Sequence, residues 1–447
     1  GRRNGTGLFT GTPPYVWISN QAGNNGVLFG DLNVRAVKDK NDNIISDGRP
    51  SLGFTGNMDT YKPAEGSATR SDIAITDPDF KYPSLWKSNI AADYKFGDGW
   101  VATVELLYSK DINAIYHDNI GLYRTEQFVN DGGAGNARPY YNGYYSDREG
   151  NQKAANHVVM LRNTSKGHSL YTTFQLQKNF VDGILKGLYL NGSYSFGQSR
   201  GVTDGTSSVA TSAWKYRAAL DGNAEEVGYT AGSFDGRLLL SASYTANWSK
   251  YAATSFGLIY QRYRPFRYSY CYNGDANGDS QFSNDLMYIP ANFDEVKDHL
   301  LPGDFDSQED AWKAMNAFIE QDPYLSKHRG EYAERNGAVA PFANQLDLSV
   351  SHDIKIYQKN GRSHTLRFSF NIANFLNLLN RNWGVVQTTV LGNQQYQFLT
   401  IPKGQGPSAA NNYTLKYTMA KDLDETFKDN LNDVSRWQMQ FGIKYIF

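Results

Sequence analysis

The final segment, Trp437 to Phe447, alternates apolar and polar residues almost without exception. Trp437, Met439, Phe441, Ile443, Tyr445 and Phe447 fall on one face, and Gln438, Gln440, Gly442, Lys444 and Ile446 on the other, where Ile446 is the one break in polarity. A period of two is the mark of a strand whose faces meet different surroundings. In a membrane, a Lys turned towards mid-bilayer hydrocarbon costs roughly 2–4 kcal/mol, so the Lys444 face would have to look into a lumen.

The same pattern recurs upstream. Trp86, Ile90, Ala92, Tyr94 and Phe96 share one face of a segment, followed across Gly97-Asp98-Gly99 by Trp100, Ala102, Val104, Leu106 and Tyr108. Alternating runs follow at 170–176, 188–196, 238–248, 252–260, 346–356 and 366–372, with weaker ones near 392–401 and 411–420. With the last segment this predicts about eleven strands from residue 86 onward. Short connections near 97–99, 181–187, 249–251, 357–363 and 402–410 alternate with long ones near 110–167, 199–235, 265–343, 377–391 and 421–434. Short turns at one end and long loops at the other are the habit of outer-membrane barrels. By that habit Phe447 ends on the periplasmic side and the long loops are extracellular. A soluble β-sandwich or propeller also alternates, but does not require strands of membrane length with aromatics at both ends. The predicted class is therefore all-β, a transmembrane antiparallel barrel.

Composition fits that class. The mean hydropathy is −0.57, and no 18-residue apolar run offers a membrane helix. A barrel hides its apolar residues at every second position, so this does not count against one. Tyr, Phe and Trp number 31, 24 and 8, and Tyr and Trp suit the membrane–water boundary. A single cysteine excludes an intrachain disulfide framework, and a net charge of −1 gives no electrostatic case for nucleic acid. The seven His form no zinc-protease pair, and no nucleophile elbow or phosphate loop is present, so an enzyme is not expected. His352 and His364 flank one short turn without further metal-site features. Asp93, Glu105, Asp347, Asp353 and Arg367 fall on lumenal faces, as solvated lining or as contacts for a plug or solute. Residues 1–85, rich in Gly, Asn, Asp and Pro, read as a loop-rich, mainly extracellular segment of the barrel with an extended piece at Tyr15–Ser19. The chain opens at Gly1 without a Met or an export signal, so upstream sequence is expected.

The loop 265–343 carries the most chemistry. In Gly274-Asp275-Ala276-Asn277-Gly278-Asp279-Ser280-Gln281, oxygens at Asp275, Asn277 and Asp279, the Gln281 carbonyl and the later Asp285 have the spacing of a calcium loop. Asp285 comes one position early, and Ser280 stands where an EF-hand has Gly. The alternative is an Asx-rich turn without metal. A structural calcium would stiffen the loop, not catalyse. Further on, Ser307 is placed to cap a helix from Gln308 to about Gln321, with Trp312, Met315, Phe318 and Ile319 in a stripe and Pro323 beyond its end. That stripe would either pack within its own loop or dock a partner as a lid.

Gly274–Pro290 (GDANGDSQFSNDLMYIP) and Phe318–Asn336 (FIEQDPYLSKHRGEYAERN) resemble signatures of TonB-dependent outer-membrane receptors of the Oar-like kind from Bacteroidota. Asn371–Trp383 (NIANFLNLLNRNW) is similar to a late-barrel motif of the wider TonB-dependent and SusC-like group. The aromatic terminal strand Trp437–Phe447 resembles the signal read by the barrel-assembly machinery. The resemblance implies a plugged barrel of about 22 strands, of which residues 86–447 would supply the C-terminal half. It implies coupling to a TonB–ExbB–ExbD complex through an upstream plug and Ton box, a setting of lipid and lipopolysaccharide, and a surface lipoprotein as partner. The function it implies is energised uptake of a bulky nutrient: a siderophore, oligosaccharide or peptide. The alternative is a barrel subunit of a surface adhesion, secretion or envelope complex.

Overall fold

The structure is a computed structural model that describes residues 71–133, 137–144, 155–205, 207–357, 363–392 and 394–447. Its backbone is dominated by one antiparallel sheet of nine long strands in chain order: β1 (Leu85–Phe96), β2 (Trp100–Asp111), β3 (His168–Asn179), β4 (Leu188–Gly201), β5 (Arg237–Ser249), β6 (Ala252–Tyr263), β7 (Ala343–Tyr357), β8 (Ser363–Ala373) and β9 (Gln438–Ile446). The short strand Gly228–Tyr229 hangs on β4. β1 and β9 are the two edges, and the sheet does not close on itself among the described residues.

The alternation of the sequence becomes two different surfaces. Register places Ile372 opposite Met439, Phe370 opposite Phe441, Phe368 opposite Ile443 and Leu366 opposite Tyr445, so apolar rows run across strands. This face is open: Phe441 is 72 % exposed and Ile90 67 %. The other face is mainly polar, with Leu107, Leu239 and Ile259 as exceptions, and is bonded strand to strand. Asn89 donates to Glu105 (2.7 Å), Thr103 to Asp93 (2.5 Å), Ser349 to Asn371 (2.6 Å) and Gln261 to Gln345 (3.1 Å). Arg367 grips Asp353 with two hydrogen bonds of 2.6 and 2.7 Å. The acids expected on lumenal faces lie on this polar face and are held by their own neighbours, and Asp347 accepts from the Asn374 amide (2.8 Å). His352 and His364 are not brought together: His352 contacts Thr254 (2.8 Å), while His364 meets Tyr445 (2.7 Å).

Residues 97–99, 180–187 and 250–251 close three hairpins at one end, and Gly97 and Gly99 take the positive φ that the first turn demands. The paired strand ends Tyr357 of β7 and Ser363 of β8 lie at the same end. At the opposite end, the described residues of 112–167, 202–236, 264–342 and 374–437 pack into one folded cap. All four contribute to a single core that includes Val129, Ala218, Tyr270, Met287, Met315, Phe318, Tyr396, Phe398, Leu415 and Tyr417.

Three expectations change. The segments 392–401 and 411–420 are not wall strands. They form the short strands Gln395–Tyr396, Leu399–Thr400 and Tyr417–Met419, which pair within the cap. Their alternating apolar residues Tyr396, Phe398, Tyr417 and Met419 face a buried core in the cap. Consequently 402–410 is no wall hairpin, and nine strands replace eleven. Within 1–85, residues 71–76 are not loop: Ser71–Thr76 is a strand parallel to Ala155–Thr164, which also pairs with Ala114–Asn119. Tyr15–Ser19 and the rest of 1–70 lie outside the described residues. The helix Gln308–Gln321 (α1) forms as read, with the Ser307 hydroxyl accepting from the Asp310 amide at 3.1 Å. Met315, Phe318 and Ile319 are buried in the cap core and Trp312 packs against it, so the stripe is not free to serve as a lid. No helix among the described residues is long and apolar enough to cross a membrane, which leaves crossing by strands untouched.

Candidate functional site

The acidic loop sits where three long connections meet. The chain enters it from the buried strand Arg267–Tyr270 and leaves through Leu286 and Met287, so both ends are anchored in the cap core. Asp275 then acts as a hub, its carboxylate accepting from the amides of Asn277 (3.2 Å), Gly278 (2.6 Å) and Ser280 (2.8 Å). This winds the backbone tightly enough that Ser280 takes φ +66°, the left-handed conformation for which a calcium loop normally uses glycine. Gly278 is required for a different reason: a Cβ there would stand 2.1 Å from the Tyr141 carbonyl oxygen of the first connection. The Tyr141 amide in turn donates to the Asn277 carbonyl at 2.7 Å.

The winding brings oxygen atoms of Asp275, Asp279 and Asp285 within 4.8 Å of one another. Asp279 and Asp285 are almost fully buried. Asn277 and Gln281 are placed differently from the three acids. The Asn277 amide group is tied to Asp279, its oxygen accepting from the Asp279 amide (2.9 Å) and its nitrogen donating to the Asp279 carboxylate (3.3 Å). The Gln281 side chain bonds the Ser280 carbonyl (2.8 Å) and His157 (3.4 Å), so Gln281 can reach an ion only through its backbone carbonyl, the atom for which the spacing singles it out.

Several participants have no signal in the local sequence. Arg138, fully buried, donates to Asp285 at 3.2 Å and to Asp131 at 2.9 Å. Burial opposes its charge, but Asp131 and Asp285 outweigh that and its pKa is raised. Gly222 of the second connection lies against the Asp279 carboxylate, 3.5 Å from where its Cβ would be. Neighbouring Asp221 receives the Tyr141 hydroxyl (2.7 Å) and Arg124 (3.0 Å). These partners stand tens to hundreds of residues away in the chain, so spacing rules cannot reveal them.

The electrostatics are unbalanced. Burial is the chief cause that raises all three carboxyls. Asp285 is pushed up to about 7 despite Arg138, and Asp279 well above the usual carboxylate range, with Asp285 and Asp275 repelling it. Of the three acids only Asp285 meets a guanidinium, that of Arg138, which it shares with Asp131, so the cluster must either keep protons or meet a cation. Converging carboxylate oxygens in a tight, amide-lined loop are the donor set of a hard divalent ion. Comparison of the chain with protein-family models, with curated proteins and with solved structures produced no match.

Proposed function

We propose that the nine-stranded sheet is part of the wall of a bacterial outer-membrane barrel, and that the cap is its ordered extracellular face. The observation that carries this reading is the sidedness of the sheet: an open apolar face on one side and a hydrogen-bonded polar face on the other. A soluble sheet with that much apolar surface would cover it with a second layer. Unpaired β1 and β9 edges would be costly in lipid, so the wall needs further strands to close. Together with the resemblance of 274–290, 318–336 and 371–383, this supports energised uptake of a bulky nutrient, driven by a TonB–ExbB–ExbD complex through a plug. A cap folded from all four long connections would form the mouth that selects the solute.

Cysteines placed singly at Phe441 and Gln440 test the wall, because Cys271 is buried. In intact outer membranes a water-soluble maleimide should label position 440 and not 441, while a lipid-phase reagent labels 441. Equal aqueous labelling of both removes the membrane reading. Deleting the gene should abolish growth on one bulky nutrient in a manner dependent on the proton-motive force. A strain that grows normally but loses surface assembly points to the adhesion or envelope role.

At the loop, the reading is a structural Ca2+ held by Asp275, Asp279 and Asp285, clamping three connections together. Without the ion, the folded cap holds protons on groups that ionise near the ordinary 3.8 when unfolded. The folded state then binds more protons, so stability falls as pH rises from about 4 to about 7. Bound Ca2+ displaces those protons and should cancel the fall. Melting followed by near-ultraviolet circular dichroism, with Ca2+ or with chelator at pH 5 and 7.5, reads this out. Equal melting with and without Ca2+ at pH 7.5 rejects the ion.

A further inference from the structure

Two adjoining cavities lie on the open apolar face of the sheet. The larger, about 400 Å³, is a groove walled by Leu176, Leu190, Leu240, Leu258, Tyr260 and Leu346. It exists because Gly192 and Ala242 leave the wall low between them, and a Cβ at Gly192 would already press to 3.0 Å from Leu240. The smaller, about 260 Å³, is bounded by Tyr194, Gly236, Leu238, Arg262 and Phe342. Strand register joins the two. The row Tyr194–Leu238–Arg262 lies one step nearer the cap than the row Gly192–Leu240–Tyr260, and both rows project from the same face.

Arg262 is the unusual member. Its exposed guanidinium lies over the Phe342 ring, 4.4 Å from the centroid, and Arg264 lies 4.1 Å from that centroid. Arg264 is neutralised by Asp235 at 3.2 Å, which also faces Arg267 at 3.8 Å. No described carboxylate pairs with Arg262. A long cationic side chain at a membrane rim ordinarily reaches away into water. Here stacking on Phe342 keeps the charge beside the apolar groove.

We propose that Arg262, Phe342 and Tyr194 form the headgroup pocket, and the Gly192–Ala242 groove the acyl-chain seat, of a site for a phosphorylated lipid of the outer leaflet. The inference rests on reading the sheet as a membrane wall. Charge complementarity selects the occupant: an unpaired guanidinium fork matches a phosphate, and the groove below it accepts only hydrocarbon. The long-connection end of β6 places that phosphate at the level where an outer-leaflet headgroup would lie. A resident lipid here would buttress β4, β5 and β6 directly beneath the cap.

The complete barrel, with the strands that pair with β1 and β9, would be reconstituted into phosphatidylcholine vesicles and equilibrated with lipid A or with its dephosphorylated analogue, and lipid retained per protein measured after a detergent wash. Wild type should retain lipid A at least tenfold better than the analogue. R262Q should lose about tenfold of that preference, the scale of one charge-assisted contact. K178Q, which removes the cation stacked near Trp100 and Phe180 on the same sheet, should keep it. G192L should lower retention of both lipids alike. Unchanged preference in R262Q, or an equal loss in K178Q, overturns the site. Protein that does not float with the vesicles at all overturns the membrane reading itself, a separate outcome from floating without phosphate preference.

Discussion

The wall and the cap are built from the same alternating, aromatic-rich sequence, yet they spend their apolar residues in opposite directions. On the sheet, Phe441, Ile443 and Tyr94 share one open face, while mainly Gln, Ser, Asn and paired charges line the other. In the cap, Phe318, Tyr270, Tyr396 and Phe398 are enclosed, with the Tyr270 hydroxyl satisfied by Asp322 at 2.6 Å. The cap encloses its apolar residues in a core, whereas the sheet leaves one apolar face uncovered among the described residues. A summed hydropathy averages the two and describes neither. The comparison predicts that equivalent insults will act through different physics in the two regions.

The largest effect is expected inside the cap. Phe318 is 1 % exposed and packs against Phe398 and Tyr396, with ring centroids 4.8 and 6.0 Å away. Phe318→Ala should cost about 3–5 kcal/mol, through lost burial and the cavity left behind. Hydrogen exchange should show cap amides such as those of Tyr270 and Tyr396 losing protection while β7 and β8 keep theirs. If wall and cap lose protection together, the two regions are one cooperative unit and the contrast between them fails.

A charge placed on the wall separates its faces. Val350 lies opposite Phe256 and Phe370 on the outer face, and Ser351 opposite Ser255 and Ser369 on the inner. In lipid vesicles Val350→Arg should cost about 2–4 kcal/mol of folding free energy, and Ser351→Arg much less. Urea titration of vesicle-bound protein measures both. Similar costs at the two positions would mean that water bathes both faces.

What the sequence disclosed follows the same division. Wall strands were legible because each is long and alternates almost throughout, as Leu366 to Ile372 and Trp437 to Phe447 do, and because Gly97 and Gly99 mark a turn. The segments 392–401 and 411–420 misled for a physical reason: burial in a cap core and burial in lipid impose the same period of two on short strands. Strand length distinguishes them, since Gln395–Tyr396 and Tyr417–Met419 are far too short to span a bilayer. At the acidic loop, Asp275, Asp279 and Asp285 were readable from local spacing. Arg138, Asp131, Tyr141 and Gly222 were not, because long-range packing of separate connections brings them there.

The smallest contrast concerns local signals. Helix α1 carries its own start, since Ser307 accepts from the Asp310 amide and donates to the Asp310 carboxylate at 2.7 Å. Ser307→Ala should therefore cost about 1 kcal/mol and fray the first turn, visible as faster exchange of the Ala311 and Trp312 amides. Ser349 makes a single side-chain bond, to Asn371 at 2.6 Å, on the exposed polar face of the sheet, where water can replace the lost partner. Ser349→Ala should cost less than half as much, because the wall is specified by strand pairing and sidedness and not by single caps. A Ser349→Ala penalty equal to that of Ser307→Ala would mean that water does not reach the inner face, and that another layer of protein packs against it.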